Sequence, residues 1–318
     1  MVPFAGYAMP VQYQAGIMAE HAACREKAAL FDVSHMGQGV LRGEGAAAAL
    51  EALTPADVQI LKPGRQKYAL LTAPDGGILD DFMVANRGER WEDRALLALQ
   101  GPAAEGVIAR LGGAEAASLP FMGIAETTLA GIPVLASRSG YTGEDGFEIS
   151  VAADRAEALA RALLADADVS PAGLGARDSL RLEAGLCLYG NDIDRTTSPV
   201  EAALVWTIGK RRRAEWNFLG AERIRAELEA GPKRLRVGIR PDGRAPARSH
   251  TAIVAADGTA LGEVTSGGFG PTLGAPIAMG YVAAASAAEG NAVELLVRGK
   301  PLPARIAPMP FVPHRYKR

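Results

Sequence analysis

The sequence is poor in the residues that build metal centres and disulfide frameworks. Its 318 residues include two cysteines, Cys24 and Cys187, and four histidines without a metal-ligand spacing. The two cysteines lie far apart and form no CxxC motif, which argues against structural zinc or a disulfide scaffold and suits a reducing compartment. We therefore expect no metal and a cytoplasmic location.

Strong charge of one sign and long apolar runs are lacking too. Lys plus Arg number 34 and Asp plus Glu 36, a formal net charge of −2, so no global field would recruit nucleic acid. No run approaches the roughly 18 apolar residues of a membrane helix, and the start has no signal-peptide pattern. We expect neither nucleic acid nor membrane as a partner. The remaining composition, 48% hydrophobic and 22% charged, is typical of a globular protein with two or three compact units.

The most informative local feature is a pair of adjacent carboxylates, Asp80 and Asp81, in an otherwise apolar segment over residues 76–84. This segment predicts a strand buried on both faces. Period-2 alternation places Asp81 on one face with Leu79 and Met83, and Asp80 on the other. Burying an unpaired carboxylate costs several kcal/mol, so each acid needs a cation, N–H donors or a ligand. We expect one of the two to meet a ligand.

The first two thirds of the chain predict mixed α+β structure. Apolar periodicity and turn residues predict helices over residues 16–30, 45–53, 103–111 and 154–165, and strands over residues 68–72, 78–85, 95–99, 127–130, 134–138 and 147–151. The first two of these strands are joined by the turn Ala73-Pro74-Asp75-Gly76-Gly77. They form a predicted hairpin with both acids on its second strand.

The pattern changes after Gly231-Pro232. Short β segments follow over residues 235–239, 250–255, 261–265, 277–282, 292–298 and 303–307, separated by Gly, Pro and Asp turns. Such spacing predicts a small antiparallel barrel or jelly roll. We therefore predict two domains, residues 1–232 and 233–318, the first made of two α+β lobes over about residues 1–115 and 116–232.

Two motifs leave functional and structural interpretations open. The loop GYTGEDGFEI, residues 140–149, would present Tyr141 and Glu148 to a cavity, but it also fits a solvated polar turn. The segment around Arg177 predicts a helix whose charges are, by frequency, those of a salt-bridged surface. Neither GxGxxG nor a P-loop is present, so no nucleotide site is predicted.

Two further features have simpler interpretations. Cys187 lies between leucines, which indicates an inert buried thiol. The basic run over residues 210–213 is either a solvated surface or a dock for an acidic partner.

Taken together and in order, the motifs resemble the aminomethyltransferases of the glycine cleavage system, the T-protein family. The resemblance covers nearly the whole chain. The matching stretches are PFAGY with MPVQY (residues 3–7 and 9–13), LFDVSHMG (30–37), GGILDD (76–81), LALQGP (97–102), GYTGEDGFEI (140–149), residues 177–192 and 206–213, AMGYV (278–282) and MPFVP (309–313).

This resemblance implies a three-lobed cloverleaf around a central cavity for tetrahydrofolate, with the barrel as third lobe. It implies transfer of the one-carbon unit of an aminomethyl group from the lipoyl arm of H-protein to tetrahydrofolate, with release of ammonia. It also assigns residues: Asp81 faces the folate N5, Tyr141 and Glu148 contact the pterin, and Arg177 holds the folate. Three more complete the implied site, with Tyr316 closing it and Met36 and Leu70 lining it. Asp80 is left as a structural acid that needs its own donors.

The chain departs from the family after Asn86. A strand and a helix that stand in the family before the LALQGP strand are missing here. Two alternatives therefore stay open beside the enzyme: a non-catalytic folate-binding protein of the iron–sulfur assembly type, and an inactive relative.

Overall fold

The computed structural model describes residues 1–86 and 94–317. The part before the barrel mixes helices and strands. In chain order its strands are β1 (Val2–Phe4), β2 (Tyr7–Met9), β3 (Ala28–Asp32), β4 (Arg65–Thr72), β5 (Ile78–Asn86), β6 (Arg94–Gln100), β7 (Ile124–Leu129), β8 (Ile132–Ser137), β9 (Gly146–Ala152) and β10 (Val169–Pro171). Its helices are α1 (Ile17–Glu26), α2 (Ala46–Glu51), α3 (Ala104–Arg110), α4 (Ala114–Ala117), α5 (Ala156–Leu164), α6 (Leu174–Glu183), α7 (Lys210–Glu215) and α8 (Ala221–Ala230).

A six-stranded sheet in the order β10-β3-β6-β9-β8-β7 forms the centre of this part. Only β3 and β10 run parallel; the other neighbours are antiparallel. Leu99 and Phe147 of the sheet are buried with Val107 of α3 and Leu159 of α5 in one apolar cluster. Because strands from both sides of residue 115 share this sheet, it crosses the predicted lobe boundary.

One helix prediction was wrong in its extent. The helix predicted over residues 16–30 ends at Glu26, and Ala28–Asp32 instead forms β3 between β6 and β10. Residues 28–31 are all buried in the sheet. The tertiary pairing of β3 therefore overrides the local helical tendency of its alanines and leucine.

The predicted hairpin is present as β4 and β5, which form a separate two-stranded antiparallel sheet. A register shift between Leu71 and Thr72 places Leu70 opposite Asp81. Consequently Ile78 packs in the same cluster as Leu70, although simple alternation put it on the face of Asp80. The predicted burial of β5 on both faces was also wrong, because Leu79 and Met83 are 37% and 36% exposed.

The C-terminal part is a closed antiparallel barrel in the order β11-β14-β13-β12-β15-β16. Its strands are β11 (Arg234–Pro241), β12 (Ala252–Val254), β13 (Ala260–Gly270), β14 (Ala275–Ala283), β15 (Ala292–Val297) and β16 (Lys300–Ala307). Alternate aliphatic residues such as Ile239, Ile253 and Leu295 fill its interior. The predicted α+β class with a C-terminal antiparallel barrel is thus confirmed.

A buried carboxylate joins the barrel to the rest of the protein. Asp192 follows α6 and accepts a hydrogen bond from Arg181 Nη1 at 2.7 Å and another from Ser266 Oγ of β13 at 2.8 Å. The backbone carbonyl of Asp192 accepts a hydrogen bond from Tyr281 Oη of β14 at 2.6 Å. Its side chain also caps the N–H of Leu188 at 2.9 Å. Asp192 therefore fixes the loop over residues 185–193 against both α6 and the barrel.

The basic run at the start of α7 is mostly structural. Arg211 forms ion pairs with Glu51 at 2.6 Å and Asp57 at 2.7 Å. Arg212 is buried, and its Nη2 donates to the backbone carbonyl of Glu51 at 2.5 Å. Burial alone would raise the pKa of Glu51, but hydrogen bonds from Arg211, Gln59 and the backbone lower this pKa to about 2. The pairs hold α7 against the end of α2 and the segment that follows it.

We expect Asp192→Asn to lower the free energy of unfolding by about 3 kcal/mol or more, because it leaves the buried Arg181 guanidinium without its buried carboxylate. Chemical denaturation followed by circular dichroism measures the change. Asp257→Asn, at an exposed turn of the barrel, is the matched control and keeps the wild-type midpoint. Equal midpoints for the two variants would contradict the linking role of Asp192.

Lowering the pH should show how much the ionised Glu51 carboxylate contributes to the free energy of unfolding. Its folded pKa of about 2 lies below the ordinary value of 4.5, so the stability it contributes is present above pH 4.5 and is lost as the pH falls towards 2. Glu51→Gln should therefore be less stable than wild type at pH 7, with the gap narrowing at pH 3. Denaturation midpoints at both pH values test this, with exposed Glu157→Gln as the control. If the difference in midpoint between Glu51→Gln and wild type were the same at both pH values, this prediction would be refuted.

Candidate active site

Asp81 is the half-buried acid of the pair, and Asp80 is exposed. Tyr68 Oη of β4 donates a hydrogen bond to Asp81 Oδ2 at 2.8 Å. Burial raises the pKa of Asp81, the hydrogen bond from Tyr68 opposes that rise, and the neighbouring charge of Asp80 adds to it. Asp80 accepts a hydrogen bond from the backbone N–H of Asp81 at 2.9 Å, which supplies a donor for this acid. The two carboxylates therefore have different environments.

Tyr141 contacts the loop over residues 185–193, which Asp192 fixes. Its hydroxyl donates to the backbone carbonyl of Cys187, and the side chain of Cys187 packs with Leu70 and Tyr68 in the cluster behind Asp81. Burial raises the pKa of both the Tyr141 hydroxyl and the Cys187 thiol, the latter to about 11. Cys187 is thus a buried, protonated thiol, as its leucine neighbours predicted.

The guanidinium group of Arg177, on α6, is buried and incompletely hydrogen-bonded. Its guanidinium lies 4.7 Å from the ring centroid of Tyr141, and its Nη2 lies 4.0 Å from Met36 Sδ. The buried Nη1 atom has no hydrogen-bond partner among the described residues. Burial lowers the pKa of Arg177, and the negative charge of Glu148 opposes this. An unpaired buried donor of this kind is suited to an acceptor supplied by a ligand.

The other predicted site residues differ in whether they contact Asp81 or Arg177. Glu148 of β9 accepts a hydrogen bond from Ser139 Oγ at 2.8 Å and acts electrostatically on Arg177. Leu70 is fully buried beside Asp81. Tyr316 stacks on Phe121 with ring centroids 4.3 Å apart, and burial raises its pKa to about 12. The structure therefore connects Asp81, Leu70, Tyr141, Arg177, Met36 and Glu148 through shared contacts, and it packs Tyr316 against Phe121.

Sequence reasoning missed Tyr68. In a hairpin without a bulge, pairing of Thr72 with Ile78 would place Ala69 opposite Asp81 and turn Tyr68 to the other face. The one-residue shift after Leu71 reverses this and brings Tyr68 to the face of Asp81. The available signal was the hydroxyl of Tyr68, two residues before Leu70, which lies opposite Asp81. This signal becomes informative only when the register of the two strands is known.

The arrangement combines a desolvated carboxylate with an unsatisfied guanidinium. Within the described ranges 1–86 and 94–317, no group of three or more His, Cys, Asp or Glu side chains could hold a metal ion. No helix in the same ranges is long and apolar enough to cross a membrane. A fixed carboxylate in such a site stabilises a positively charged intermediate or accepts a proton from nitrogen.

Comparison with known families matches the chain along most of its length. The model described as the GCVT N-terminal domain matches residues 1–92 and 89–212, and the glycine cleavage T-protein C-terminal barrel domain matches residues 234–313. Both parts of the fold are therefore recognised independently.

Curated relatives agree with this match. A protein of Solanum tuberosum named "Aminomethyltransferase, mitochondrial" is 44% identical, with 99% of this chain and 87% of that protein covered. A Schizosaccharomyces pombe protein named "Probable aminomethyltransferase, mitochondrial" is 45% identical, with 100% and 90% covered. The crystal structure of glycine cleavage system aminomethyltransferase T from Bartonella henselae is similar with a TM-score of 0.94 and 40% identity, covering 100% of this chain and 95% of that one.

The comparisons also bear on the gap after Asn86. The alignments with the potato and yeast relatives extend over 354 and 352 positions, more than the 318 residues of this chain, so both relatives carry positions without a counterpart here. The two pieces of the N-terminal match meet at residues 89–92. That the missing piece is a strand and a helix stays a prediction, and residues 87–93, where it would join, lie outside the described residues.

The expected cytoplasmic location was wrong, because the relatives named above from potato and yeast, and one from Gallus gallus, are called mitochondrial. Few cysteines indicate a reducing compartment, and that criterion does not separate the cytoplasm from another reducing compartment.

The relatives' names favour the enzyme over the iron–sulfur assembly type and over an inactive relative. On the match of both domains, together with the identity to aminomethyltransferases along the whole chain, this protein belongs to the glycine cleavage T-protein family of aminomethyltransferases.

Proposed function

We propose that the protein transfers the one-carbon unit of an aminomethyl group from the lipoyl arm of H-protein to tetrahydrofolate. The sulfur–carbon and carbon–nitrogen bonds of the donor break, ammonia leaves, the lipoyl arm recovers its thiol, and the carbon becomes the methylene bridge of 5,10-methylenetetrahydrofolate. The observation that carries this proposal is the half-buried Asp81 carboxylate, which is oriented by Tyr68.

Electrostatics explains why the reaction would use a carboxylate here. Departure of ammonia and attack by N5 pass through iminium-like cations, which a fixed anion stabilises. At about 4 Å the attraction is roughly 4 kcal/mol at an effective dielectric near 20, against about 1 kcal/mol in water. The difference corresponds to about a hundredfold in rate. Asp81 is also suited to accept the proton released from N5.

The remaining residues would bind and enclose the folate. Arg177 has a buried, unpaired Nη1 donor, which suits an acceptor atom of the ligand. We assign Tyr141 and Glu148 to the pterin, Met36 and Leu70 to the lining, and Tyr316 to closure of the site.

We also propose the division into residues 1–232 and 233–318, which agrees with the end of α8 at Ala230 and the start of β11 at Arg234.

We expect Asp81→Asn to lower kcat about a hundredfold while the dissociation constant of tetrahydrofolate stays within about twofold, because the change removes the charge and keeps the shape. The assay follows ammonia and methylenetetrahydrofolate from aminomethylated H-protein. Asp80→Asn is the matched control, since its carboxylate is exposed on the neighbouring position. If Asp81→Asn turned over like wild type, Asp81 would have no part in the chemistry.

We expect Arg177→Met to weaken tetrahydrofolate binding by about ten- to a hundredfold, the value of a hydrogen bond to a charged group. The same variant should unfold at a midpoint no lower than wild type, because it removes a desolvated charge that lacks a complete set of partners. Isothermal titration and thermal denaturation measure the two effects, with exposed Arg161→Met as the control. Unchanged binding in Arg177→Met would exclude Arg177 from the folate site.

A further inference from the structure

An exposed indole, that of Trp206, stacks on Tyr68, the residue that donates a hydrogen bond to Asp81. Trp206 is in a 3-10 turn, Val205–Thr207, and its side chain is 64% exposed. Its ring stacks on Tyr68, with centroids 5.5 Å apart and an interplanar angle of 29°. A single exposed aromatic side chain is ordinary on a protein surface, so the feature that connects Trp206 with the candidate site is its stack on Tyr68.

The turn that carries Trp206 is held in place on both sides. Arg213 Nη2 of α7 donates to the carbonyl of Val205 at 2.6 Å, and Thr207 Oγ1 donates to the carbonyl of Leu204 at 2.7 Å. Leu204 belongs to the buried cluster that contains Leu70. The indole is thus presented on a fixed element, and it covers the phenol ring of Tyr68.

Tyr68 connects this surface to the acid. Its ring packs against the cluster of Leu70 and Cys187, and its hydroxyl donates to Asp81 Oδ2 at 2.8 Å. A phenol confined between an aliphatic cluster and an indole has little freedom to rotate away from the carboxylate. The order of contacts from surface to site is Trp206, Tyr68, Asp81.

We propose that Tyr68 and Trp206 are positioning residues for Asp81: the indole fixes the phenol, and the phenol holds the carboxylate in one orientation. This inference rests on the proposed function, because it assumes that Asp81 acts on the reacting nitrogen. It extends that function by two residues on separate elements, β4 and the turn before α7.

The pH dependence follows from the groups that face Asp81. These are Tyr68 from β4, Asp80 from β5, and Cys187 and Tyr189 from the loop after α6. The pKa of each of the two hydroxyls and of the thiol is raised, so these groups stay protonated in acid, and the charge of Asp80 raises the pKa of Asp81. Since Tyr68 donates to the charged form of Asp81, loss of its hydroxyl raises the pKa of Asp81. Activity is then lost at a higher pH as the solution is acidified.

The experiment measures kcat against pH with aminomethylated H-protein and tetrahydrofolate. Tyr68→Phe should shift the acid limb of kcat upward by about one pH unit, with the KM for tetrahydrofolate within about twofold. Trp206→Ala should lower kcat about tenfold at unchanged KM, and Trp206→Phe, which keeps a stacking ring, should restore most of it. The controls are Tyr7→Phe on an exposed strand and Trp216→Phe, whose ring lies against Phe218.

The outcomes separate this inference from the function on which it rests. An acid limb that stays in place in Tyr68→Phe, while Asp81→Asn loses most of its rate, overturns the positioning role and leaves the function standing. Equal losses in Trp206→Ala and Trp206→Phe would overturn the role of the indole. Full activity in Asp81→Asn would instead overturn the proposed role of Asp81 itself.

Discussion

The geometry of the candidate site depends on one buried carboxylate outside it. Asp192 binds Arg181 of α6, Ser266 of β13 and, through its carbonyl, Tyr281 of β14. It thereby fixes a loop that has no regular structure of its own, and Tyr141 and Tyr68 each contact that loop at Cys187. The hydrogen bonds of Asp192 therefore join α6 and the loop after it to two strands of the barrel through one buried charge.

The fold was largely predictable because it follows from local patterns. Alternation and turn residues located the hairpin and all six barrel strands, and the change after Gly231-Pro232 separated the two kinds of structure. The errors come from long-range pairing. Residues 28–30 form strand β3 instead of helix because β6 and β10 flank them, and no local sequence records that neighbourhood.

For the candidate site, the resemblance named residues, and the contacts between those residues were not predictable. The resemblance supplied Asp81 and Arg177, but the partner of Asp81 depends on a one-residue register shift in β4 and β5. Such a shift exchanges the two faces of a strand, so it decides whether Tyr68 or Ala69 meets the acid. The basic run shows the same limit. The half-buried Arg211 pairs with Glu51 and Asp57, 160 and 154 residues earlier in the chain, and the buried Arg212 donates to the backbone carbonyl of Glu51.

The hairpin that carries Asp81 is the least supported element of the site. Among the described residues β5 pairs only with β4, and a two-stranded sheet is at most marginally stable alone. Leu79 and Met83 are exposed on this strand, in a chain whose relatives carry additional positions. On its covered side β5 is held by the N–H of Ile78, which donates to the backbone carbonyls of Asp194 and Thr197, and by the packing of Leu70 and Ile78 against Cys187 and Ile193. Among the described residues, the orientation of Asp81 therefore depends on the pairing of β5 with β4, on this cluster and on the hydrogen bond from Tyr68.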